Sequence, residues 1–182
     1  MAKLAMETAI INTCTVKKLD AVIIRPFNVA GPRQSGAGGF VLPRFVQAAL
    51  TNQDIPVFGD GKQIRAFTDV RDIVDGLIRA MVKGRRGEVY NLGNPANKVS
   101  ILELALRVLR NVPGSTSKIV YTDGKTVFGP LYAEAANKYP DSTKAFRELE
   151  WQPCISLDKT ILDLRVYERN KAHIEQELSP LT

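Results

Sequence analysis

The sequence predicts a mixed α/β fold, and three observations predict it. Ala21-Val22-Ile23-Ile24 is a continuous apolar run, which reads as a strand covered on both faces, as in a parallel sheet. Val70, Ile73, Val74, Leu77, Ile78, Met81 and Val82 recur at helical spacing and form one apolar stripe. Helix and strand signals also alternate along the chain rather than segregating into two halves.

In chain order, residues 3–18 suit a helix. Leu4, Met6, Ala9, Ile10, Ile11 and Cys14 make it apolar on more than one side, as expected of a helix that is buried or shared with a partner. The strand at 21–24 ends at Arg25-Pro26, because proline cannot donate to a ladder. A glycine-rich polar loop spans 28–39. A helix follows with Val41, Leu42, Phe45, Val46, Ala49 and Leu50 on its apolar side and Pro43 in its first turn, where proline is tolerated. Two short apolar runs, 55–58 and 64–67, flank Gly59-Asp60-Gly61-Lys62 and predict a short hairpin.

Thr68 or Asp69 caps the helix 70–82, and Gly84 and Gly87 end it. Residues 88–92 read as a strand. Ser100 and Glu103 form a capping box that opens a helix with Ile101, Leu104, Ala105, Val108, Leu109 and Val112 on its stripe. Residues 113–141 are irregular apart from a short strand at 119–121, and helices are expected over 142–149 and 156–178. There is no internal repeat, and no G-x-G-x-x-G turn of a dinucleotide-binding fold.

Composition excludes several classes. The chain has 182 residues, 45% hydrophobic and 24% charged, ordinary for a globular domain with its own core. No apolar run approaches the roughly 18–20 residues of a membrane span, and the first residues do not read as a signal peptide. Cys14 and Cys154 stand alone without C-x-x-C spacing, which points to free thiols and a cytoplasmic location. His173 is the only histidine and falls in a charged stretch, so it is expected at the surface. The net charge of +6 is scattered, with no aromatic residues interleaved, so no nucleic-acid partner is expected and an anionic small molecule is. Asp69, Asp72 and Asp75 are too few and too local for a metal site, and none is expected.

Five blocks stand in a recognisable order. Arg25-Pro26-Phe27-Asn28-Val29-Ala30-Gly31-Pro32-Arg33-Gln34 resembles the R-x-F-N-x-x-G-P-R-Q signature of nucleotide-sugar epimerases. Val41–Val46 resembles the start of the helix behind their sugar-nucleotide loop, and Val57–Ile73 their V-[YF]-G-D-G-x-Q-x-R-x-F block. Tyr90-Asn91-Leu92-Gly93-Asn94 resembles their [FY]-N-[IL]-G block. Tyr139–Ala145 with Leu149–Pro153 resembles their P-D-x-[ST]-K-A and L-G-W-x-P tail. The chain thus resembles the extended short-chain dehydrogenase/reductase family, and specifically the NAD-dependent, UDP-glucose 4-epimerase-like epimerases and dehydratases. The resemblance covers roughly residues 1–168 and is confined to the family's C-terminal part.

That resemblance implies a C-terminal, substrate-binding part of a Rossmann-type epimerase, with one or two parallel strands, a short hairpin and several helices. Residues 1–27 would be the remnant of the dinucleotide-binding domain, and 28–182 the substrate-binding domain. Lys3 matches the lysine of the family's Tyr-x-x-x-Lys pair. The tyrosine would lie two residues before Met1, and the NAD-binding glycine motif further upstream, so the chain is expected to be inactive alone. Lys3 would otherwise serve both catalysis and the cofactor, and Pro26 would line the nicotinamide end.

For the substrate, a nucleoside diphosphate sugar, the resemblance assigns Asn28, the loop Gly38-Gly39-Phe40, Val57, Arg65 and Lys138. Arg65 is expected on the diphosphate, where a permanently charged fork suits phosphate oxygens. Phe40 stands where many 4-epimerases have asparagine, and Lys138 where the family places arginine. Glu150 replaces the glycine of L-G-W, which should make that helix end less comfortable. The implied partner is a second copy, in a homodimer, or a complementing N-terminal half. A 4,6-dehydratase fragment and a non-enzymatic nucleotide-sugar-binding or interaction module are the alternatives.

Overall fold

The computed structural model describes residues 2–36, 39–131, 133 and 135–178, with side chains at all of these except 128 and 172–178; the expectation for the His173 side chain falls outside them. The class is α/β, as expected. Helix α1 (Ala2–Val16) leads into β1 (Ile23–Pro26), which lies parallel to β6 (Val89–Leu92). The two-residue strands β2 (Val29–Ala30) and β5 (Thr68–Asp69) are also parallel, as are β3 (Ile55–Phe58) and β8 (Ile119–Thr122). Strand β4 (Ile64–Ala66) lies between antiparallel β7 (Lys98–Ser100) and parallel β9 (Asn137–Lys138). The helices are α2 (Val41–Leu50), α3 (Val70–Lys83), α4 (Ile101–Asn111), α5 (Gly124–Phe128), α6 (Thr143–Glu148) and α7 (Leu157–Leu178).

Several expectations need correction. The predicted hairpin does not form: β3 and β4 pair with different strands, β8 on one side and β7 and β9 on the other. Gly59 and Gly61 are both left-handed, with φ of 64° and 71°, and the chain turns out of one sheet into another. Four parallel pairings occur rather than one or two. Pro26 does not stop β1 but is its last paired residue, opposite Leu92. Among the described residues β1 pairs on one side only, so the missing proline N–H costs no ladder bond.

The capping box is half made. Ser100 Oγ accepts from Glu103 N at 3.0 Å, but the Glu103 carboxylate bonds Arg107 and Arg110. The Ser100 backbone is meanwhile taken into the β4–β7 ladder.

Two apolar cores hold the molecule. The larger gathers α2, α4, β3 and the first half of α7, with Phe45, Val46, Leu104, Val108, Ile161 and Leu164 at its centre. The smaller lies over the β1–β6 pair and contains Ile73, Ala80, Tyr90, Leu92, Leu149 and Trp151. Helix α3 meets it with its small face. A side chain added at Gly76 would stand 2.6 Å from Leu92 Cδ1 and 3.0 Å from Trp151 Nε1, so close approach requires glycine there. Most of the stripe that predicted this helix is therefore turned outward: Leu77, Ile78, Met81 and Val82 are 42–85% exposed, and only Ile73 of it enters the core.

Polar seams join the cores. Asp69 caps α3 through Arg71 N and is bonded by the Arg71 guanidinium and Thr160 Oγ1 of α7. Burial pushes its carboxyl up, but Arg71 and Thr160 outweigh that and hold it below the usual range. Asp72, 5% exposed, accepts from Cys154 N at 3.1 Å and Ile155 N at 3.0 Å. Asp75 pairs with Arg79. The three aspartates thus carry three separate structural duties, and no group of three or more His, Cys, Asp or Glu stands together among the described residues.

Glu148 clips α6 to β6. Arg147 first, then Tyr90 Oη and Arg85, bond its carboxylate and hold it down to about 2 from 4.5. Glu150 adopts a left-handed φ of 51°, the uncomfortable helix end expected, and is secured by Lys83 on its carboxylate and Arg79 on its carbonyl. Both cysteines are unpaired. Among the described residues no helix is long and apolar enough to cross a membrane.

Candidate functional site

A cleft of about 670 Å³ opens between the start of α2, the β1–β2 corner and β4, within the range of small-molecule sites. Local folding explains why each side chain reaches it. Asn28 sits at the corner after β1 with φ of 36°, a region asparagine tolerates. Its Nδ2 donates to Ala66 O at 2.9 Å, and its own carbonyl accepts from Thr68 N at 3.2 Å, so it fixes the β1–β2 corner against β4 and β5. Gly39 is left-handed, at φ 76°, and turns the loop into α2. Phe40, 52% exposed, is the N-cap of α2 and makes no side-chain cap bond.

Arg65 is 8% exposed on the middle strand β4. Its Nη1 donates to Ile64 O at 2.8 Å, one of the contacts that hold the guanidinium. Lys138 on β9 is its register partner. Residues in register on neighbouring strands share a face, so two cations stand side by side at the cleft wall. Lys3 of α1 and Pro26 of β1 line the same cleft. Among the described residues the Lys3 ammonium has no hydrogen bond or ion pair.

The cleft therefore brings together Lys3, Pro26, Asn28, Gly39, Phe40, Arg65 and Lys138. Gly38 lies outside the described residues. The Val57 side chain is 0% exposed and packs in the larger core, so only its backbone, the part the resemblance implies for the base, is left to face a ligand. Strand alternation is the reason, since in β3 Ile55 and Val57 face inward while Pro56 and Phe58 line the cleft.

Sequence reasoning missed Arg44, Gln34, Phe58 and Gln63, all of which line the cleft. Gln34 Nε2 donates to Val29 O at 2.8 Å, and its Oε1 is buried without a partner. Gln63 Nε2 donates to Phe58 O at 3.1 Å. All four fall inside or beside the quoted blocks, so position alone could have flagged them. The described lining residues include four cations, Lys3, Arg44, Arg65 and Lys138, and no carboxylate. Arg71 pairs with Asp69, and Arg107 with Glu103 and Asp158, outside the cleft. A cleft whose described lining is cationic suits an anion.

The chain is similar to several known proteins. The model of the NAD dependent epimerase/dehydratase family matches residues 1–93. A UDP-N-acetyl-α-D-glucosaminuronate decarboxylase from Bacillus cytotoxicus is 39% identical over 142 residues, which are 78% of this chain and 44% of that protein. The structure of UDP-glucose 4-epimerase from Thermotoga maritima with UDP-glucose superposes with a TM-score of 0.84 at 28% identity, over 94% of this chain and 53% of that one. That of UDP-glucuronic acid 4-epimerase from Bacillus cereus, with UDP-glucuronic acid and NAD, gives 0.80 at 26%, over 93% and 51%. The chain spans about half the length of these proteins or less.

Proposed function

This chain belongs to the NAD dependent epimerase/dehydratase family, and from that premise we propose that it is the substrate-binding half of a UDP-sugar 4-epimerase-like enzyme. The observation that carries the proposal is convergence. Lys3, Asn28, Phe40, Arg65 and Lys138, up to 135 positions apart in sequence, line one cleft. Arg65 and Lys138 supply adjacent positive charges for a diphosphate, Arg65 as a bidentate fork and Lys138 as a point charge. Asn28 and the loop at Gly39-Phe40 border the sugar and nucleotide.

NAD, when bound, accepts hydride from the sugar ring. Lys3 and Pro26, together at one end of the cleft, fit its nicotinamide end; the glycine-rich turn that would hold its pyrophosphate is not in this sequence. The contribution of Lys3 is electrostatic. An ammonium beside a phenol of pKa about 10 favours the phenolate and makes it a base at neutral pH. By the same resemblance it would also donate to the cofactor ribose. The base tyrosine is not among these residues, so binding without turnover is the expected behaviour of the chain alone. Residues 1–27 are assigned to the edge of the dinucleotide-binding domain and 28–182 to the substrate domain, in a cytoplasmic protein. Decarboxylation of a nucleotide uronate is the second reading, favoured by the 39% identity to a decarboxylase.

Calorimetric titration with UDP-glucose, UDP, dTDP-glucose and NAD tests this. One nucleotide sugar is expected to bind and NAD is not; a chain that binds none of the nucleotides sinks the proposal.

We also propose a homodimer, or a complementing N-terminal half, as the partner. Leu4, Met6 and Val16 of α1 are 62–79% exposed, and the α3 stripe adds a second apolar surface of the kind that marks an interface. Light scattering at micromolar concentration is expected to give a mass above the monomer; a strictly monomeric mass rules out self-association.

A further inference from the structure

Arg44 sits in the first turn of α2, half-buried, and lines the cleft. It makes no hydrogen bond or ion pair among the described residues. Its position is doubly unfavourable in the ligand-free chain. A partly desolvated cation without a counter-charge is costly, and the start of a helix is its positive end. No acidic residue in the first turn of α2 offsets it. The other arginines of the fold's polar seams show the contrast: Arg71, Arg79 and Arg107 each hold a carboxylate. A residue that weakens the empty protein at a cleft wall fits a requirement of the ligand.

We infer that Arg44 is an oxyanion-binding residue of the cleft, acting on the nucleotide sugar in addition to Arg65 and Lys138. A guanidinium presents a planar fork that matches phosphate and carboxylate alike. Two groups on a nucleotide sugar have that chemistry, the diphosphate and a carboxylate on the sugar ring. This inference rests on the nucleotide-sugar reading above, and the test separates the two.

Arg44→Gln is titrated with UDP, UDP-glucose and UDP-glucuronic acid, beside the unmodified chain and Arg65→Ala, and each protein is melted without ligand. Arg44→Gln is expected to bind at least tenfold more weakly and to melt no lower than the unmodified chain. Equal weakening for all three ligands assigns Arg44 to the diphosphate. Weakening confined to UDP-glucuronic acid assigns it to a sugar carboxylate. The inference is overturned if Arg44→Gln binds all three as the unmodified chain does while Arg65→Ala does not. It is overturned equally if Arg44→Gln lowers the ligand-free melting temperature, because the residue is then structural. If the unmodified chain binds none of the three, this inference and the nucleotide-sugar reading fall together.

Discussion

Arg65→Ala is expected to abolish measurable binding of UDP and UDP-glucose by a chain that remains folded. The guanidinium is oriented before any ligand arrives, by Ile64 O at 2.8 Å and by its place on the middle strand of three. A bidentate phosphate contact comprises two hydrogen bonds to charged groups, each contributing about 1.5–3 kcal/mol. Losing both costs roughly 3–6 kcal/mol, or two to four orders of magnitude in affinity. The fold should survive, because β4 keeps its ladders to β7 and β9 through the backbone. Lys138→Ala should cost less, about tenfold, because an exposed ammonium is well hydrated and gives no fork. Calorimetry reads the affinity and near-ultraviolet circular dichroism the fold. Arg65→Ala binding UDP as the unmodified chain does would place the diphosphate elsewhere.

The residues made some of this legible and hid the rest for physical reasons. Helices α2, α3 and α4 were readable because a 3.6-residue apolar period survives in the sequence whatever the helix packs on. The same period misled about which side of α3 is buried. Its packed face is built from Asp72, Ile73, Gly76 and Ala80; only Ile73 belongs to the apolar stripe, and no hydropathy pattern marks the two small residues and the carboxylate as a core face. The hairpin failed for a related reason. Gly59-Asp60-Gly61 encodes a reversal, but strand partners are set by distant β8, β7 and β9, of which β9 has two residues and little apolar signal.

At the cleft, the quoted blocks led to Asn28 and Arg65, the Tyr-x-x-x-Lys pair to Lys3, and the position just before the last block to Lys138; Arg44 also falls inside a block, but its residue type there looks the same as a solvated surface arginine. What marks Arg44 is the lack of a partner among the described residues, a property of the folded chain alone. The blocks likewise left decarboxylase chemistry unconsidered, because they hold the substrate's nucleotide and say little about the fate of its sugar.

Asp72 is expected to carry a large stability effect outside the apolar cores. Its Oδ1 accepts from Cys154 N and its Oδ2 from Ile155 N, and its backbone carbonyl accepts from Trp151 Nε1 at 2.9 Å. One residue of α3 thus fixes the segment 151–155 that carries the chain from α6 into α7. Asp72→Ala keeps the carbonyl but removes two hydrogen bonds to a charged acceptor and orphans both N–H donors, for a loss of roughly 3–6 kcal/mol. In a chain of this length that lowers the melting temperature by on the order of 10 °C.

Asp72→Asn discriminates further. One amide oxygen can accept from one N–H, while the amide NH₂ faces the other as donor to donor, so about half the loss is expected. The Asn variant also removes the negative charge that, before any other cause, pushes the Cys154 thiol above its ordinary value. Cys154 is exposed, so its thiolate fraction should rise and its alkylation at a given pH should quicken, well below the melting transition. Scanning calorimetry and the rate of iodoacetamide labelling read the two effects separately. A variant that melts as the unmodified chain does would mean that burial of Trp151 alone holds the segment. A variant that melts lower but labels at the old rate would remove Asp72 as the charge governing Cys154.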